Sequence, residues 1–456
     1  MIHLSNGKTL TFGLELLIKD ETTCLEEMFK SVEPLKDFLD EVVVGWTGSS
    51  PETKVILDKY ATRIIPILWQ NHHGQARQEL HEQMTADLVL WLDADDLLLN
   101  PQELPALLQQ AFDNPSVGRV FLQYFYNTDA FGNVDSTMPR ERVVRRPWYH
   151  WVAALHENLL VKDRFARDVV DERPNPVIVK HNSTKERFAE SQRRCLEIAT
   201  YQIKKEREAG VIDARTVLDL GRALMTNGLW DEALKSFEEY IQLCGWDDMR
   251  YYALNLMADI YRNKEDHERA KHCNHLAAIM KPLWPEAYVG LAKTAFKEKE
   301  WDQVIFFCET VSRTDSPGGV IPCDPTLNTI WPLKILHLAY ANKGQFDKAI
   351  IVCEKALEAY PDDKELTTCL TQWQQARRHI WLQSSLEDVQ RWLEEKGETD
   401  KLQHFIKAVP NDMADLPNFV RLRNQLYPPT MPAGRKGRIV IFCGASYEEW
   451  DPRSVG

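Results

Sequence analysis

The feature that most restricts the fold of this chain is an apolar run that ends abruptly in acid. Residues 88–92 read Leu-Val-Leu-Trp-Leu, and residues 93–96 read Asp-Ala-Asp-Asp. A short, continuously apolar run suits a strand that is buried on both faces, as in the middle of a parallel sheet. Because ionised carboxylates do not stay unpaired in such a core, they are expected to emerge at the carboxyl end of the strand. Open α/β sheets bind their ligands at that edge.

Two interpretations of the acidic triplet stay open on these residues alone. Asp93 and Asp95, one residue apart at a strand end, can share a hard divalent cation that also bridges a diphosphate. Alternatively, Asp95 or Asp96 can cap a helix that begins at residues 97–99. The rest of the chain has to distinguish a metal site from a helix cap.

Residues 10–112 alternate between strand-like and helix-like patterns, which is typical of an α/β layer fold. We predict strands at 14–18, 41–44, 63–68 and 88–92 with helices between them, and a further strand at 117–126. Thr23 is predicted to cap the helix at 25–32. The simplest interpretation of the arginines at 140, 142, 145 and 146 is a solvated strand edge. On the same grounds, His156-Glu157 is a surface pair and His181 is a turn residue at a strand end.

A sequence repeat begins after a long, charged helical segment at 184–210, for which Gly210 is a plausible C-terminal cap. Trp230, His267, Trp301 and Phe346 stand at equivalent positions, in steps of 37, 34 and 45 residues, and each is followed three residues later by Ala or Val. A period of about 34 residues is that of tetratricopeptide helix pairs. The last step is long because a loop rich in Pro and Gly is inserted at 312–325. Such an array leaves a concave face for a partner.

Composition narrows the class of protein. The chain has 456 residues and a net charge of −13, which argues against a general polyanion-binding surface. Residues 1–10 lack the pattern of a signal peptide, and no stretch has the roughly 20 apolar residues that a transmembrane helix needs. The nine cysteines show no Cys-x-x-Cys spacing, so neither a zinc site nor a disulfide framework is indicated. We therefore expect a cytoplasmic protein with no membrane span.

The N-terminal half resembles the family 2 glycosyltransferases of GT-A fold, in particular the branch with C-terminal tetratricopeptide repeats that includes bacteriocin S-glycosyltransferases. The specificity of the resemblance lies in the order of its motifs over about residues 10–360. The matching segments are 17–21, 41–44 with 47–49, Trp69 with 76–77, 90–96, 142–146, 155–157 and His181.

The resemblance implies an α/β plus all-α chain: a GT-A Rossmann-like nucleotide-sugar domain followed by a tetratricopeptide-repeat solenoid. We place the GT-A domain at 1–183, a connecting helix at 184–212 and the repeats at 213–362. A helical cap is expected at 363–427. A linker and the start of a further α/β domain are expected at 428–456, because residues 438–444 look like an apolar strand running into a turn.

The resemblance also implies site residues. Transfer from a nucleotide sugar must stabilise a departing diphosphate, and bound Mn²⁺ or Mg²⁺ does so as a Lewis acid. The candidate metal ligands are Asp95, His181 and Asp93. The candidate nucleotide-sugar-binding residues are Asp20, Trp46, Arg77, Asp93 and Arg145. The candidate catalytic residues are Glu157, as the general base of an inverting enzyme, with His156 or Asp96 behind it.

One position departs from the family pattern. The second strand of these enzymes usually ends in an aspartate that reads the nucleotide base, but here Trp46 precedes Thr47-Gly48-Ser49. An indole can stack on a base but cannot accept its N–H hydrogen bonds. UDP-sugar stays the expected donor by family analogy.

Three functions remain in competition. The first is a metal-dependent, inverting hexosyltransferase that acts on a protein, peptide or glycan acceptor recruited by the repeats. On this hypothesis, a chain truncated at Gly210 keeps donor hydrolysis and loses acceptor transfer. The second is a catalytically inactive repeat scaffold for protein–protein interaction. The third is a nucleotidyltransferase, which usually carries a Gly-rich phosphate loop that is not seen here. Homo-oligomerisation through the repeats is left open.

Overall fold

The computed structural model describes residues 1–129, 133–162, 169–171, 175–182, 185–315, 321, 323–397, 400–401 and 420. The chain divides into two units, Met1–Leu370 and Thr371–Gly456. The predicted linker and further domain at 428–456 lie outside the described residues, as does most of 402–427. No described helix has both the length and the apolar character needed to cross a membrane.

The first unit opens with the strands and helices of an α/β layer, which confirms the predicted fold class. The strands are β1 (Ile2–His3), β2 (Thr9–Leu10), β3 (Phe12–Ile18), β4 (Glu41–Trp46), β5 (Arg63–Pro66), β6 (Leu88–Leu92), β7 (Asp96–Leu99), β8 (Val117–Thr128), β9 (Val134–Arg145), β10 (Tyr149–Val152), β11 (Asn158–Val161), β12 (Val169–Asp171) and β13 (Ile178–His181). The helices among them are α1 (Leu25–Val32), α2 (Pro51–Tyr60), α3 (His73–Gln83) and α4 (Leu104–Phe112).

Most of these strands form one mixed sheet in the order β5-β4-β3-β6-β9-β8-β13-β7, with β12 beside β8. Strands β5, β4, β3 and β6 run parallel, and β9 joins β6 in the antiparallel direction. Strand β6 thus lies between β3 and β9, and all five of its residues are buried. This position explains why the run at 88–92 is continuously apolar.

Three local predictions were wrong. Residues 97–99 belong to strand β7, not to a capped helix, because β13 pairs with them and places His181 opposite Asp96. The arginines of β9 do not line a sheet edge, since β9 is hydrogen-bonded to β6 and β8. Helix α1 begins after Cys24, and no side chain caps it. Glu21 instead accepts hydrogen bonds from the backbone N–H groups of Thr23 and Cys24, at 2.8 and 3.1 Å.

The second part of this unit consists of helices. The long helix α5 (Lys185–Ala209) ends at Gly210, whose φ of +71° is the left-handed conformation of a C-terminal cap, as predicted. Four helix pairs follow, and a further helix, α14 (Lys364–Lys396), begins after them. The pairs are α6 (Ala214–Thr226) with α7 (Trp230–Leu243), α8 (Asp247–Asn263) with α9 (His267–Met280), α10 (Pro285–Lys297) with α11 (Trp301–Val311), and α12 (Trp331–Asn342) with α13 (Phe346–Ala359).

The repeating small residues predicted from the sequence are the contact points of these pairs. Ala233, Ala270, Val304 and Ala349 occupy equivalent positions on the second helix of each pair, and each is fully buried. In the first pair, a Cβ added to Gly221 of α6 would lie 2.6 Å from the ring of Phe237 in α7. The helices therefore approach closely only because these positions are small.

Among the residues that the structure describes, the repeats contact the α/β layer near both ends of the array. Near the start of the array, Ala154 and Leu155 pack against Ile198, Ala199 and Ala223 of α5 and α6. Near its end, the loop before α12 forms a bridge with β9, in which Thr137 and Cys323 exchange two backbone hydrogen bonds of 2.9 Å. The inserted loop of the fourth repeat is thus part of an interdomain contact.

Candidate active site

The acidic triplet forms a tight turn where β6 ends. The backbone N–H of Asp96 donates to the carbonyl of Asp93 at 3.1 Å, and the N–H of Asp93 donates to the Asp96 carboxylate at 3.0 Å. The carbonyl of Asp95 accepts a hydrogen bond of 2.7 Å from the N–H of Asn182, just after β13. Hydrogen bonds therefore stabilise the turn internally and also connect it to the end of the strand that carries His181.

Asp96 is fully buried and lies at the centre of a hydrogen-bond network. Its carboxylate is 3.0 Å from Nη1 of Arg142 and accepts a 2.9 Å hydrogen bond from the hydroxyl of Tyr124. Burial acts to raise the pKa of Asp96, but the Arg142 cation and the hydrogen bonds outweigh it and lower the pKa. With its oxygens engaged in this way and no solvent access, Asp96 supports the turn and is not presented to an acceptor.

Asp95 and His181 lie beside this network and keep some solvent access. Their side chains are 15% and 29% exposed, and Oδ1 of Asp95 is 3.8 Å from Nδ1 of His181. One ligand atom from each of Asp95, Asp96 and His181 falls within 4.8 Å of the others. Burial acts to lower the pKa of His181, but its bond to Asp96 and the carboxylate charges raise it. The cluster thus has the negative potential that attracts a cation.

The donor set of this cluster fits a hard or borderline divalent cation. Carboxylate oxygens suit Mg²⁺ and Mn²⁺, and imidazole nitrogen is accepted by first-row transition metals. The hydroxyl of Tyr124 lies 3.2 Å from Nδ1 of His181, so it also orients the ring.

Arg77 connects the acidic turn to Glu157. Its guanidinium is buried, donates from Nε to Glu157 at 2.6 Å, and forms an ion pair from Nη2 with Asp93. The rings of Trp91 and Trp151 lie 4.9 and 5.1 Å from the guanidinium carbon. Although burial acts to lower the pKa of Arg77, the two carboxylates outweigh it and raise the pKa.

The ion pair with Arg77 also determines the protonation of Glu157. Burial acts to raise the pKa of Glu157, but the adjacent Arg77 outweighs burial and lowers the pKa far below its ordinary value. Glu157 is therefore ionised at neutral pH, and its basicity is reduced as long as Arg77 is paired with it. His156 faces in another direction, with Nε2 3.7 Å from Asp219 of α6.

Asp20 and Trp46 lie at the same sheet edge as the acidic turn, Asp20 just beyond β3 and Trp46 as the last residue of β4. Oδ1 of Asp20 accepts hydrogen bonds of 2.7 Å from the N–H groups of Ser49 and Ser50. These bonds, that from Ser50 first, lower the pKa of Asp20, and the side chain of Trp46 contributes to the same shift. Asp20 thus shapes the loop that precedes α2.

The structure does not bring Arg145 to this edge. In the antiparallel pair of β6 and β9, Arg145 lies opposite Leu88, at the end of β6 away from the acidic turn. Its Nε donates to the carbonyl of Val117 at 2.7 Å, and its guanidinium lies 4.8 Å from the ring of Phe112. These contacts give Arg145 a role in packing the far side of the sheet.

Two residues of the site escaped sequence reasoning. Arg142 belongs to the arginine series that we interpreted as a strand edge, and its burial against the Trp91 ring, 3.9 Å from the guanidinium carbon, follows from the pairing of β9 with β6. Tyr124 is 28 residues from Asp96 in the chain, and no local pattern connects them. A central strand that carries an arginine where an apolar residue is expected was the one available signal.

Comparison with protein families agrees with this architecture. Residues 18–154 match the model of glycosyl transferase family 2, and residues 338–363 match a tetratricopeptide repeat model. The chain thus contains a family 2 glycosyltransferase domain and C-terminal repeats. The family model ends before Glu157 and His181, so the roles of those two residues rest on the geometry described above.

The repeats also resemble known repeat proteins. A TPR repeat-containing protein of Synechococcus elongatus is 31% identical over 87 residues, which are 19% of this chain and 21% of the relative. The chain therefore spans about a fifth of the length of the curated relative that it matches. Among solved structures, MamA from Desulfovibrio magneticus RS-1 is 18% identical, with 39% of this chain and 96% of that chain covered and a TM-score of 0.30. A thermophilic TPR protein of Thermus thermophilus is 16% identical, with coverages of 42% and 93% and a TM-score of 0.29.

Proposed function

We propose that this protein is a metal-dependent, inverting glycosyltransferase that moves a sugar from a nucleotide sugar to a protein, peptide or glycan acceptor. The observation that carries the proposal is the cluster of Asp95, Asp96 and His181 at the carboxyl edge of β6, within and beside a family 2 glycosyltransferase domain. Open α/β sheets bind ligands at this edge. UDP-sugar is the expected donor by family analogy.

Asp95 and His181 would hold the cation, since their side chains are accessible while Asp96 is enclosed by Arg142 and Tyr124. A bound Mn²⁺ or Mg²⁺ supplies Lewis-acid stabilisation of the departing diphosphate. Asp96 then acts through the turn, because its bond to the N–H of Asp93 keeps the acidic residues in one orientation.

Asp93, Arg77, Asp20 and Trp46 would form the donor site. Asp93 is 39% exposed and is the most accessible carboxylate of the turn. Nη1 of Arg77 is buried and has no hydrogen-bond partner among the described residues. A buried, unsatisfied donor is costly, and a hydroxyl or phosphate oxygen of the donor substrate would satisfy it.

Glu157 is the candidate general base. Its pKa is low because Arg77 is paired with it. An anionic donor that contacts Arg77 would share the guanidinium charge, and the pKa of Glu157 would rise toward the range in which a carboxylate can accept a proton. On this view, the base becomes active only when the donor is bound.

The repeats supply an interaction surface, and we expect them to recruit the acceptor. We expect a peptide acceptor by analogy with the bacteriocin S-glycosyltransferases, to which the motif order of the sequence was matched. Six of the described cysteines are free thiols, and four of these six are buried, namely Cys244, Cys273, Cys308 and Cys353. Free thiols are typical of a reducing compartment, so we propose a cytoplasmic location.

The rival hypothesis is an inactive scaffold, and one mutation separates the two. We expect wild-type protein to hydrolyse or transfer from at least one donor in a panel of nucleotide sugars with Mn²⁺. Asp95→Ala is expected to lower kcat at least about 100-fold and to weaken Mn²⁺ binding measured by calorimetry, because it removes a metal ligand. Asp58→Ala is the matched control, since Asp58 is 55% exposed on α2 and pairs only with Lys54 among its described contacts.

Either of two outcomes would sink the enzyme hypothesis. The first is a wild-type protein that binds none of the donors, which would leave the scaffold. The second is an Asp95→Ala variant whose turnover and Mn²⁺ affinity equal those of Asp58→Ala.

A further inference from the structure

The residues Ala153 to Glu157 form a loop, here called the 153–157 loop, that joins β10 to β11 and carries the candidate base at its end. Ala153 and His156 have φ angles of +68° and +46°. Side chains other than glycine rarely adopt this left-handed backbone, and it persists where surrounding contacts impose it. The contacts that impose it here come from two different parts of the chain.

One side of the loop is held by helix α3. The backbone N–H groups of His73 and Gly74 donate to the carbonyls of Ala154 and Ala153, both at 3.0 Å. A Cβ on Gly74 would lie 2.5 Å from the Ala153 oxygen, so the close approach depends on glycine at this position. These N–H groups lie in the first turn of α3, where they have no partner within the helix.

The other side of the loop is held by the repeats. Ala154 and Leu155 are both 6% exposed and are covered by α5 and α6. The guanidinium of Arg215, in the first turn of α6, donates to the carbonyl of His156. In the amide orientation that satisfies its neighbours, Asn158 accepts from Arg215 and donates to the carbonyl of Glu157. One turn further along α6, Asp219 faces the ring of His156.

The loop in turn determines the active-site ion pairs. Glu157 follows His156 directly and binds Arg77, which binds Asp93 of the acidic turn. A shift of the His156 backbone would therefore move the carboxylate of Glu157 and change how Arg77 divides its charge. Misplacement of reacting groups by about 1 Å can lower a rate by about 100-fold.

We propose that Arg215 and Asp219 of the first repeat are positioning residues for the reaction. They hold the 153–157 loop in the conformation that places Glu157 against Arg77. The repeat array is therefore needed for donor cleavage itself, in addition to any recruitment of an acceptor. The catalytic part of this inference rests on the proposed function, whereas the structural part does not.

The test compares three full-length variants with wild type. Arg215→Ala removes the fork of donors, Arg215→Lys keeps the charge but not the planar fork, and Arg269→Ala is the matched control. Arg269 is 70% exposed on α9 of the second repeat and pairs with Asp266. Amide hydrogen exchange is followed in peptides from residues 150–161 without ligand, and Mn²⁺-dependent cleavage of UDP-sugars is measured as kcat and KM.

We expect Arg215→Ala to speed exchange in this segment at least about 10-fold and to lower kcat about 10- to 100-fold. KM should change less than about threefold, because Asp95 is held by the acidic turn and His181 by β13, and neither is held by the repeats. Arg215→Lys should exchange more slowly and have a higher kcat than Arg215→Ala, without reaching wild-type values. Arg269→Ala should match wild type. Faster exchange confined to residues 150–161, with unchanged exchange in the central strands of the sheet, distinguishes positioning from general unfolding. An unfolded fraction would lower the apparent kcat without changing KM.

Exchange and kcat in Arg215→Ala equal to those in Arg269→Ala would overturn the inference while the proposed function stands. If wild type cleaves no donor, the proposed function fails, and the exchange data alone decide whether Arg215 holds the loop. If Arg215→Ala does not fold, Arg215→Lys decides, with faster exchange and lower kcat in its support and wild-type values against it.

Discussion

At the scale of single residues, the ionisable groups of this protein differ in how their charges are compensated. Asp96 and Glu157 are surrounded by charge partners that lower their pKa values despite burial. Asp219 is the opposite case, because burial raises its pKa to about 6 although Arg222 and Arg215 act to lower it. Their nitrogen atoms lie 3.6 and 3.9 Å from its carboxylate, too far for direct hydrogen bonds.

Asp219 is expected to make stability depend on pH. Because its folded pKa lies above its ordinary value of 3.8, the folded chain retains a proton that the unfolded chain releases between about pH 4 and 6. The stabilisation of the folded state by this retained proton is therefore fully present below about pH 4. It is lost as the pH rises to 6, which lowers the unfolding free energy by up to about 3 kcal/mol. Other titratable groups that interact with Asp219 are His156, Glu157, Cys195, Asp213 and Tyr240.

Asp219→Asn should remove that dependence. We expect its unfolding free energy relative to wild type to rise with pH between 4 and 6 and to level off above pH 6, as measured by urea unfolding. Asp58→Asn, which changes an exposed carboxylate on α2, should follow the wild-type curve. Parallel curves for Asp219→Asn and wild type would show that the carboxylate is hydrated and its pKa ordinary.

At the scale of secondary-structure elements, helix pairs depend on small residues at fixed positions. Gly221→Ala is expected to lower the unfolding free energy by about 1–3 kcal/mol, since its Cβ would lie 2.6 Å from the Phe237 ring and this overpacking exceeds the gain in helix propensity. The control is Gly245→Ala, because a Cβ there meets nothing within 4 Å. Equal thermal stability of the two variants would mean that α6 and α7 can separate without cost.

Pairing between elements also overrode local signals in the sheet. Residues 97–99 could have started a helix, but the antiparallel partner β13 draws them into β7 and brings His181 opposite Asp96. The geometry of the candidate metal site therefore depends on the pairing of two strands, Asp96–Leu99 and Ile178–His181, that are far apart in the chain. A sequence pattern within one segment does not contain that information.

At the scale of the whole molecule, the repeats contact the α/β layer near both ends of the array. From the sequence we expected a chain truncated at Gly210 to keep donor hydrolysis. The contacts between the repeats and the α/β layer lead us to expect that it does not. A chain that ends at Gly210 loses Arg215, Asp219 and Ala223, and with them the part of the cover over Ala154 and Leu155 that α6 supplies. The α/β layer should then lose part of its apolar cover, and the 153–157 loop should no longer be held in its conformation.

We expect the chain of residues 1–210 to melt at least about 5 °C below the full-length protein and to lose donor cleavage. The matched control ends at Leu370, where the first unit ends, and should retain both properties. Differential scanning calorimetry and a donor-hydrolysis assay check the result. Full donor hydrolysis by residues 1–210 would instead restore the view that the repeats serve the acceptor alone.

Local patterns in the sequence were sufficient for the fold class and for the acidic part of the candidate cation site. An apolar run that ends in Asp93, Asp95 and Asp96 predicts a central strand with its acidic exit, because strand burial and charge solvation act over a few residues. The helix-pair period predicts the repeats for the same reason. Neither inference needs any knowledge of distant contacts.

Only the tertiary structure decided which side chains work together. It enclosed Asp96 with Arg142 and Tyr124, moved Arg145 to the opposite end of β6, and joined Glu157 to Asp93 through Arg77. It also brought Arg215 of the repeats against the loop of the candidate base. These relations depend on strand order and domain contact, and burial of a charge becomes favourable only when its partner arrives from elsewhere in the chain.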